Sequence, residues 1–294
     1  MIYEEISANK RKSFLLLFLF VLFFLFLGWV FGQAYGSGGA GVLIALLIAF
    51  FISLITFHWG DKMVLGISHA KPVDRKANPY LANVVEGLAI AAGVLAPKAY
   101  IIEDSAPNAF ATGRNPENSA IAVTTGLLDK LNRLELEGVI GHEMSHIKNY
   151  DIRYATLVVL LVGTVALLSD WMRRSFFYRG RRGRKGRAGG GIIILIALLL
   201  AILAPIVARL IRLAISRQRE YLADANGALL TRYPEGLASA LEKISKDKEP
   251  LEVANKATAH LYIVNPLLEH RGKLNDLFST HPPAEDRIRR LRAM

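Results

Sequence analysis

Hydrophobic positions along the chain follow two different patterns. From Ser13 to Gly60 there is no Asp, Glu, Lys or Arg, and apolar residues run on without a polar stripe. Beyond Asp61 they recur at helical or strand spacing among charges. A bilayer core needs roughly 20 apolar residues per helix, and Ser13–Phe31, almost all Phe and Leu, predicts one such helix. The glycine-rich stretch Gly32–Gly41 breaks it, and Val42–Trp59 predicts a second. Trp29, Tyr35 and Trp59 sit near the ends, where amphipathic rings favour the headgroup layer. Gly32-Gln33-Ala34 loosely resembles a signal-cleavage site. The Phe/Leu run is longer than a usual signal core, however, and a second span follows at once, so a retained anchor is expected. Tyr154–Met172, weakened by Asp170, and the charge-free Ala188–Ala208, which carries Pro205, form third and fourth apolar segments.

The polar segments between and after these runs are together large enough for one globular domain. Asn78-Pro79 predicts an N-cap followed by proline at the first helical position. Leu81, Val84, Val85 and Leu88 then recur at helical spacing. Ala99–Glu103 and Ala120–Thr124 predict short strands, with Pro107–Asn115 between them as an edge strand or loop. Asn132 with Glu135 three residues on predicts a capping box, opening a helix to about Asn149. Ser216 to about Thr231 and Leu237–Lys246 predict two further helices. The expected layout is an anchor over residues 1–60 with two transmembrane helices, a first half-domain over 61–153, an apolar hairpin with an Arg-rich loop over 154–213, and a second half-domain over 214–294.

Composition narrows the class. The 294 residues are 52% hydrophobic, carry a formal charge of +11 and include no cysteine; the mean hydropathy is +0.31. These values exclude a disulfide-stapled module, a disordered chain and a cysteine-ligated zinc domain. Much of the charge lies between Arg173 and Arg187, which hold seven Arg and one Lys without an acid. Lys10, Arg11 and Lys12 ahead of the first span put the N-terminus in the cytoplasm, and two crossings return the chain there at Asp61. A hairpin that also crossed would put the Arg-rich loop outside, against the positive-inside rule. The favoured reading leaves the hairpin partly embedded, with its loop on anionic headgroups. Either way Asp61–Arg153 and Ile215–Met294 share one side. Nucleic acid is not an expected partner, because only Phe176, Phe177 and Tyr178 interleave the basic run.

Candidate chemistry sits at His142-Glu143-Met144-Ser145-His146, a His-Glu-x-x-His on a predicted helix. Residues four apart share a helical face, so both imidazoles reach one metal ion, and Glu143 stands at the rim of that face. Neutral imidazoles in a chain without thiolates suit Zn²⁺. A catalytic site needs a third protein ligand, for which His260, His270, His281, Glu220 and Glu269 are candidates. Glu220 is favoured because it opens a Glu-x-x-x-Asp on a predicted helix, where Asp224 can accept the outer N–H of a ligand histidine. The simpler alternative is a surface charge cluster paired with Arg217 and Arg219. His58, His69, His260 and His270 lack ligand spacing; His260 could approach the cleft, and Tyr262 is a comparably remote candidate.

Taken together, Pro107-Asn108-Ala109-Phe110-Ala111-Thr112-Gly113, the His142–His146 motif, Arg219-Glu220-Tyr221-Leu222-Ala223-Asp224, and Thr280-His281-Pro282-Pro283 with Arg287 resemble the HtpX family of membrane zinc metalloproteases, related to the CAAX prenyl proteases. The resemblance covers essentially the whole chain. It implies a mainly α membrane protein in which a zincin-like (gluzincin) metalloprotease domain with a small β-sheet is attached to four hydrophobic helices. It also implies one zinc per subunit on His142, His146 and Glu220, with Glu143 as general base and Asp224 behind the ligands. Asn108, Ala109, Phe110 and Ala111 correspond to the edge strand that pairs with an extended substrate. His281 and Arg287 line the site, with His281 able to donate to the oxyanion. The Arg-rich loop is more basic than the family's central region. The implied activity is endopeptidase cleavage of misfolded or membrane proteins at the cytoplasmic face of the cell membrane, a quality-control and stress-response role. Clipping of prenylated C-termini is the enzymatic alternative. A membrane adaptor or lipid-binding protein with an inert or structural zinc motif is the other, although no fourth ligand has good spacing.

Overall fold

The computed structural model describes residues 2–34, 36–76, 78–180, 217–254, 258–264, 266 and 282–294. Helices α1 (Ile2–Ala34) and α2 (Gly38–Ile67) fold back on each other as an antiparallel pair. Gly28 and Gly41 set their spacing: a Cβ on Gly28 would lie 2.5 Å from the Gly41 carbonyl oxygen, so only glycine permits this backbone approach. Within them, Ile6–Gln33 and Gly38–Ile67, 28 and 30 residues long, are long and apolar enough to cross a membrane. Phe14, Leu43, Ile44, Phe50 and Phe51 are among the large side chains they leave exposed. Both helices outrun the predicted spans because polar residues at their ends continue the same helix. The third apolar segment lies on α6 (Asp151–Gly180), where Tyr154, Leu157, Val158 and Leu161 pack with Leu16, Phe20 and Phe24 of α1 and Ala49 of α2. The fourth, Ala188–Ala208, and the Arg-rich loop from Arg181 onward fall outside the described residues.

The polar segments build the remainder. β1 (Lys71–Pro72) leads to α3 (Pro79–Ala92), whose predicted cap is present: the Asn78 side chain accepts from the Leu81 N–H and Pro79 opens the helix. β2 (Lys98–Ile102), β3 (Ala109–Asn115) and β4 (Asn118–Thr124) complete a four-stranded sheet of order β1-β2-β4-β3, parallel between β2 and β4 and antiparallel elsewhere. The strands are apolar on both sides because both faces are covered. Ala109, Ala111, Ile121 and Val123 face a core shared with α3 and α5 (Arg133–Lys148). Phe110, Ala120 and Ala122 face the opposite core, with Val64 and Leu65 of α2 and Val159 and Leu160 of α6. The sheet thus joins the globular part to the apolar helices. α4 (Thr125–Lys130), α7 (Arg217–Thr231), α8 (Pro234–Lys246), a short 3₁₀ turn (Ala259–Leu261) and α9 (Ala284–Leu291) complete the described elements. The fold is mainly helical with a small mixed sheet.

Candidate metal centre

The site is assembled on α5. Its predicted capping box is complete: the Asn132 side chain accepts from the Glu135 N–H at 3.0 Å, and Glu135 accepts from the Asn132 N–H at 2.8 Å. The same Glu135 carboxylate accepts from Ser239 at 2.6 Å and Lys243 at 2.7 Å, tying the helix to α8. Leu136, Val139, Ile140, Met144 and Ile147 are buried in the core. α7 crosses α5 closely enough that a Cβ on Gly227 would sit 2.9 Å from the His142 nitrogen. That contact lays Asp224 and Glu220, about one and two turns back along α7, against the histidines.

Three donor atoms converge there. His142 Nε2 and His146 Nε2 are 3.1 Å apart, and the Glu220 oxygens lie 3.8 Å from the first and 3.6 Å from the second. A tetrahedral zinc with bonds of about 2.0–2.1 Å separates its ligand atoms by about 3.3 Å. The residues present therefore fit such an ion. Among the described residues these three form the one group of His, Cys, Asp and Glu side chains able to hold a metal. His270, Glu269 and His281 lie outside the described residues. His58 instead has Nδ1 at 3.0 Å from the Leu54 carbonyl oxygen on α2, and His69 sits in the left-handed region (φ 52°) at the end of that helix.

Each histidine has a carboxylate behind it. His142 Nδ1 is 2.9 Å from Asp224 Oδ1. Asp224 is in turn held by a fork of Arg287, with Nε at 2.8 Å and Nη2 at 2.6 Å, while Arg287 Nη1 donates to the Ile263 carbonyl at 2.9 Å. Arg287 is 1% exposed and its Nη1 also lies 3.7 Å from Glu220 Oε2, so its charge is held by Asp224 and Glu220 and it is not among the residues lining the cavity. His146 Nδ1 is 3.0 Å from Asp151 Oδ2. Sequence reading missed Asp151, because helical periodicity runs out at Asn149. The chain turns through Tyr150 in the left-handed region (φ 61°), which swings the first residue of α6 back beneath the histidine. The available signal was an acid five residues beyond the second histidine, at the start of the next apolar segment.

Burial and charge set the protonation of the metal-free site. Burial, reinforced by the Arg287 charge, lowers His142 to about 4. Burial also opposes charging of His146, but Asp151, Glu220 and Glu143 outweigh it and raise that histidine to about 9. Glu143, buried beside Glu220, is raised to about 7. Asp224 is held near 2, since Arg287 and His142 overcome the cost of its burial.

The Ala111 N–H lies near the Glu143 carboxyl and favours its charged form, against the larger effect of burial. Ala111 lies on β3, the terminal strand of the sheet, and lines the same cavity as His142, His146, Glu143 and Glu220. Asn108 precedes β3, with its side-chain nitrogen donating to the Val264 carbonyl at 3.0 Å. The Ala109 carbonyl accepts from the Ile263 N–H at 3.0 Å, and Phe110 packs edge-on to Tyr262. The segment His260–Ile263 lines the cavity, which places His260 and Tyr262 at its wall.

A metal held by two neutral imidazoles and one carboxylate keeps most of its Lewis acidity. With a buried carboxyl alongside, that donor set fits the class of metallopeptidases. A model of peptidase family M48 matches residues 75–294. The Protease HtpX homologs of Dictyoglomus thermophilum and Tropheryma whipplei are 51% identical over 99% of this chain and 94% of their own, and 45% identical over 100% and 99%. The crystal structure of S. mikatae Ste24p shares the fold, with a TM-score of 0.52 and 19% identity over 98% of this chain and 67% of that one. The chain belongs to peptidase family M48, among the HtpX proteases.

Proposed function

We propose that this metallopeptidase is a zinc endopeptidase, anchored in the cell membrane by α1 and α2, that hydrolyses peptide bonds of misfolded or membrane proteins at the cytoplasmic face. His142 and His146 from residues 61–153 and Glu220 from residues 214–294 hold the zinc, so neither half is a complete site. When bound, the metal supplies Lewis acidity towards a peptide carbonyl and acidifies water. Glu143 takes the proton of the attacking water on its carboxylate and returns it to the leaving amine. Asp224 and Asp151 hold the two imidazoles with Nε2 towards the metal. Arg287 keeps Asp224 ionised and in place, a role behind the ligands and not against the substrate. An extended substrate adds to the edge of β3 around Ala111, with Asn108, Ala109 and Phe110 holding that edge to residues 260–264. His281 donates to the developing oxyanion, as the resemblance implies. The Arg-rich loop rests on anionic headgroups.

The observation that carries this reading is the placement of Glu143. Its carboxyl shares a cavity with the three donors and with Ala111 of the terminal strand β3. Cleavage of casein, and of a membrane protein with cytoplasmic loops, by the full-length chain tests it. Glu143→Gln is expected to lower turnover by roughly 10²- to 10⁴-fold; full activity in that variant would refute the assigned base.

A further inference from the structure

One residue of the first apolar helix is bonded into the support of the metal site. Lys10, Arg11 and Lys12 of α1 are exposed, but Asn9 between them and the helix start is 0% exposed. It lies inside the stretch long and apolar enough to cross a membrane, Ile6–Gln33. A buried carboxamide is costly unless its bonds are met. Its Nδ2 donates to Asp151 Oδ1 at 2.8 Å and to the Asn149 carbonyl at 2.9 Å. Its Oδ1 accepts from Arg219 Nη1 at 3.3 Å, and Arg219 Nη1 reaches the same Asp151 oxygen at 3.2 Å. The other Asp151 oxygen faces His146 Nδ1. Asn9 therefore fixes the turn between α5 and α6 and the carboxylate that this turn delivers.

We infer that Asn9 is a positioning residue of the metal centre, acting through Asp151 to orient His146, so that the first apolar helix is a working part of the site. This rests on the zinc reading above. The chain of bonds is specific: one amide nitrogen holds one carboxylate oxygen, leaving the second oxygen for the histidine. Arg219, next to the ligand Glu220 on α7, closes the loop from the other side of the site. The consequence is that metal affinity depends on a residue far from every ligand in the sequence and carried by a different element.

The test is Zn²⁺ affinity of the full-length chain in detergent, measured by competition with a chromophoric chelator. Asn9→Leu keeps the size and removes the hydrogen bonds; Asn9→Asp keeps the acceptor for Arg219 and removes the donor to Asp151. Both are expected to weaken Zn²⁺ binding roughly tenfold, the low end of the effect of losing a group behind a metal ligand. Ser13→Ala, one turn on and bonded only to the Asn9 carbonyl at 2.8 Å among the described contacts, is expected to leave it unchanged. In an Asp151→Ala background, Asn9→Leu is expected to add less than about a twofold change, because the two act in series. If Asn9→Leu does not fold, Asn9→Asp decides the matter. Wild-type affinity in the Asn9 variants, an equal loss in Ser13→Ala, or additive losses with Asp151→Ala would overturn the inference while leaving the zinc site standing. A wild type that bound no Zn²⁺ would overturn both.

Discussion

His142 takes its outer support from the globular half of the molecule, through Asp224 and Arg287, whereas His146 takes it from the turn into the apolar helices, through Asp151, Arg219 and Asn9. The first support is a sealed ion pair: Asp224 and Arg287 are 2% and 1% exposed, and a third bond runs from Arg287 to the Ile263 carbonyl. The second is more open, with the His146 side chain 16% exposed. It depends on a strained residue, Tyr150, and on contacts between elements distant in the chain. The difference teaches that one histidine is fixed by the peptidase core and the other by the junction with the apolar helices. Two helices from one core would suffice to bring three ligands together, yet the carboxylate behind the second histidine is held where α1, α6 and α7 meet.

Removing one carboxylate from each side sharpens the contrast. Asp224→Ala strands a buried guanidinium, and breaking such a pair costs about 3–5 kcal/mol. It is expected to give the largest fall in melting temperature, with a further 10- to 100-fold loss in zinc affinity. Asp151→Ala is expected to lose zinc affinity by a similar factor but to lower the melting temperature less, because Arg219 keeps Asn9 as a partner and stays 5.9 Å from the Tyr154 ring. Scanning fluorimetry and chelator competition on the same preparations separate the two quantities. A larger stability loss for Asp151→Ala would break the comparison.

How far the site was legible in the sequence follows the same division. The capping box at Asn132 and Glu135, the cap at Asn78-Pro79 and the helices bearing His142 and Glu220 are local patterns, and each is present. The Glu-x-x-x-Asp spacing placed Asp224 where its outer contact with His142 is observed. Asp151 and Asn9 escaped because their role depends on tertiary contacts: a left-handed residue reverses the chain at Tyr150, and Asn9 is 142 positions from its partner. β1 and α9 were missed for a related reason. A two-residue strand has no period of its own, and α9 is mostly charged, with Arg287 and Leu291 buried. Strand β3 read as edge or loop because Pro, Asn and Gly surround it, while pairing with β4 on one side and the Ile263 N–H on the other makes it a strand.

The smallest expected effect lies away from both supports. Asn132→Ala removes the side-chain half of the capping box and is expected to cost about 1 kcal/mol of stability. Zinc affinity should stay within about twofold of wild type, since the cap lies well over two helical turns from His142 along α5. A large affinity loss there would mean that α5 as a whole, and not the two carboxylates, aims the ligands.

The central claim is a single zinc held by His142, His146 and Glu220 and used with Glu143. Its most direct test is to strip the full-length protein of metal and titrate Zn²⁺ back, following bound metal and casein cleavage together in wild type, Glu143→Gln and Glu220→Gln. The expected result is one zinc per chain in wild type with cleavage rising in step, one zinc without cleavage in Glu143→Gln, and a marked loss of zinc in Glu220→Gln. Tight stoichiometric zinc in Glu220→Gln, or cleavage by metal-free wild type, would contradict it.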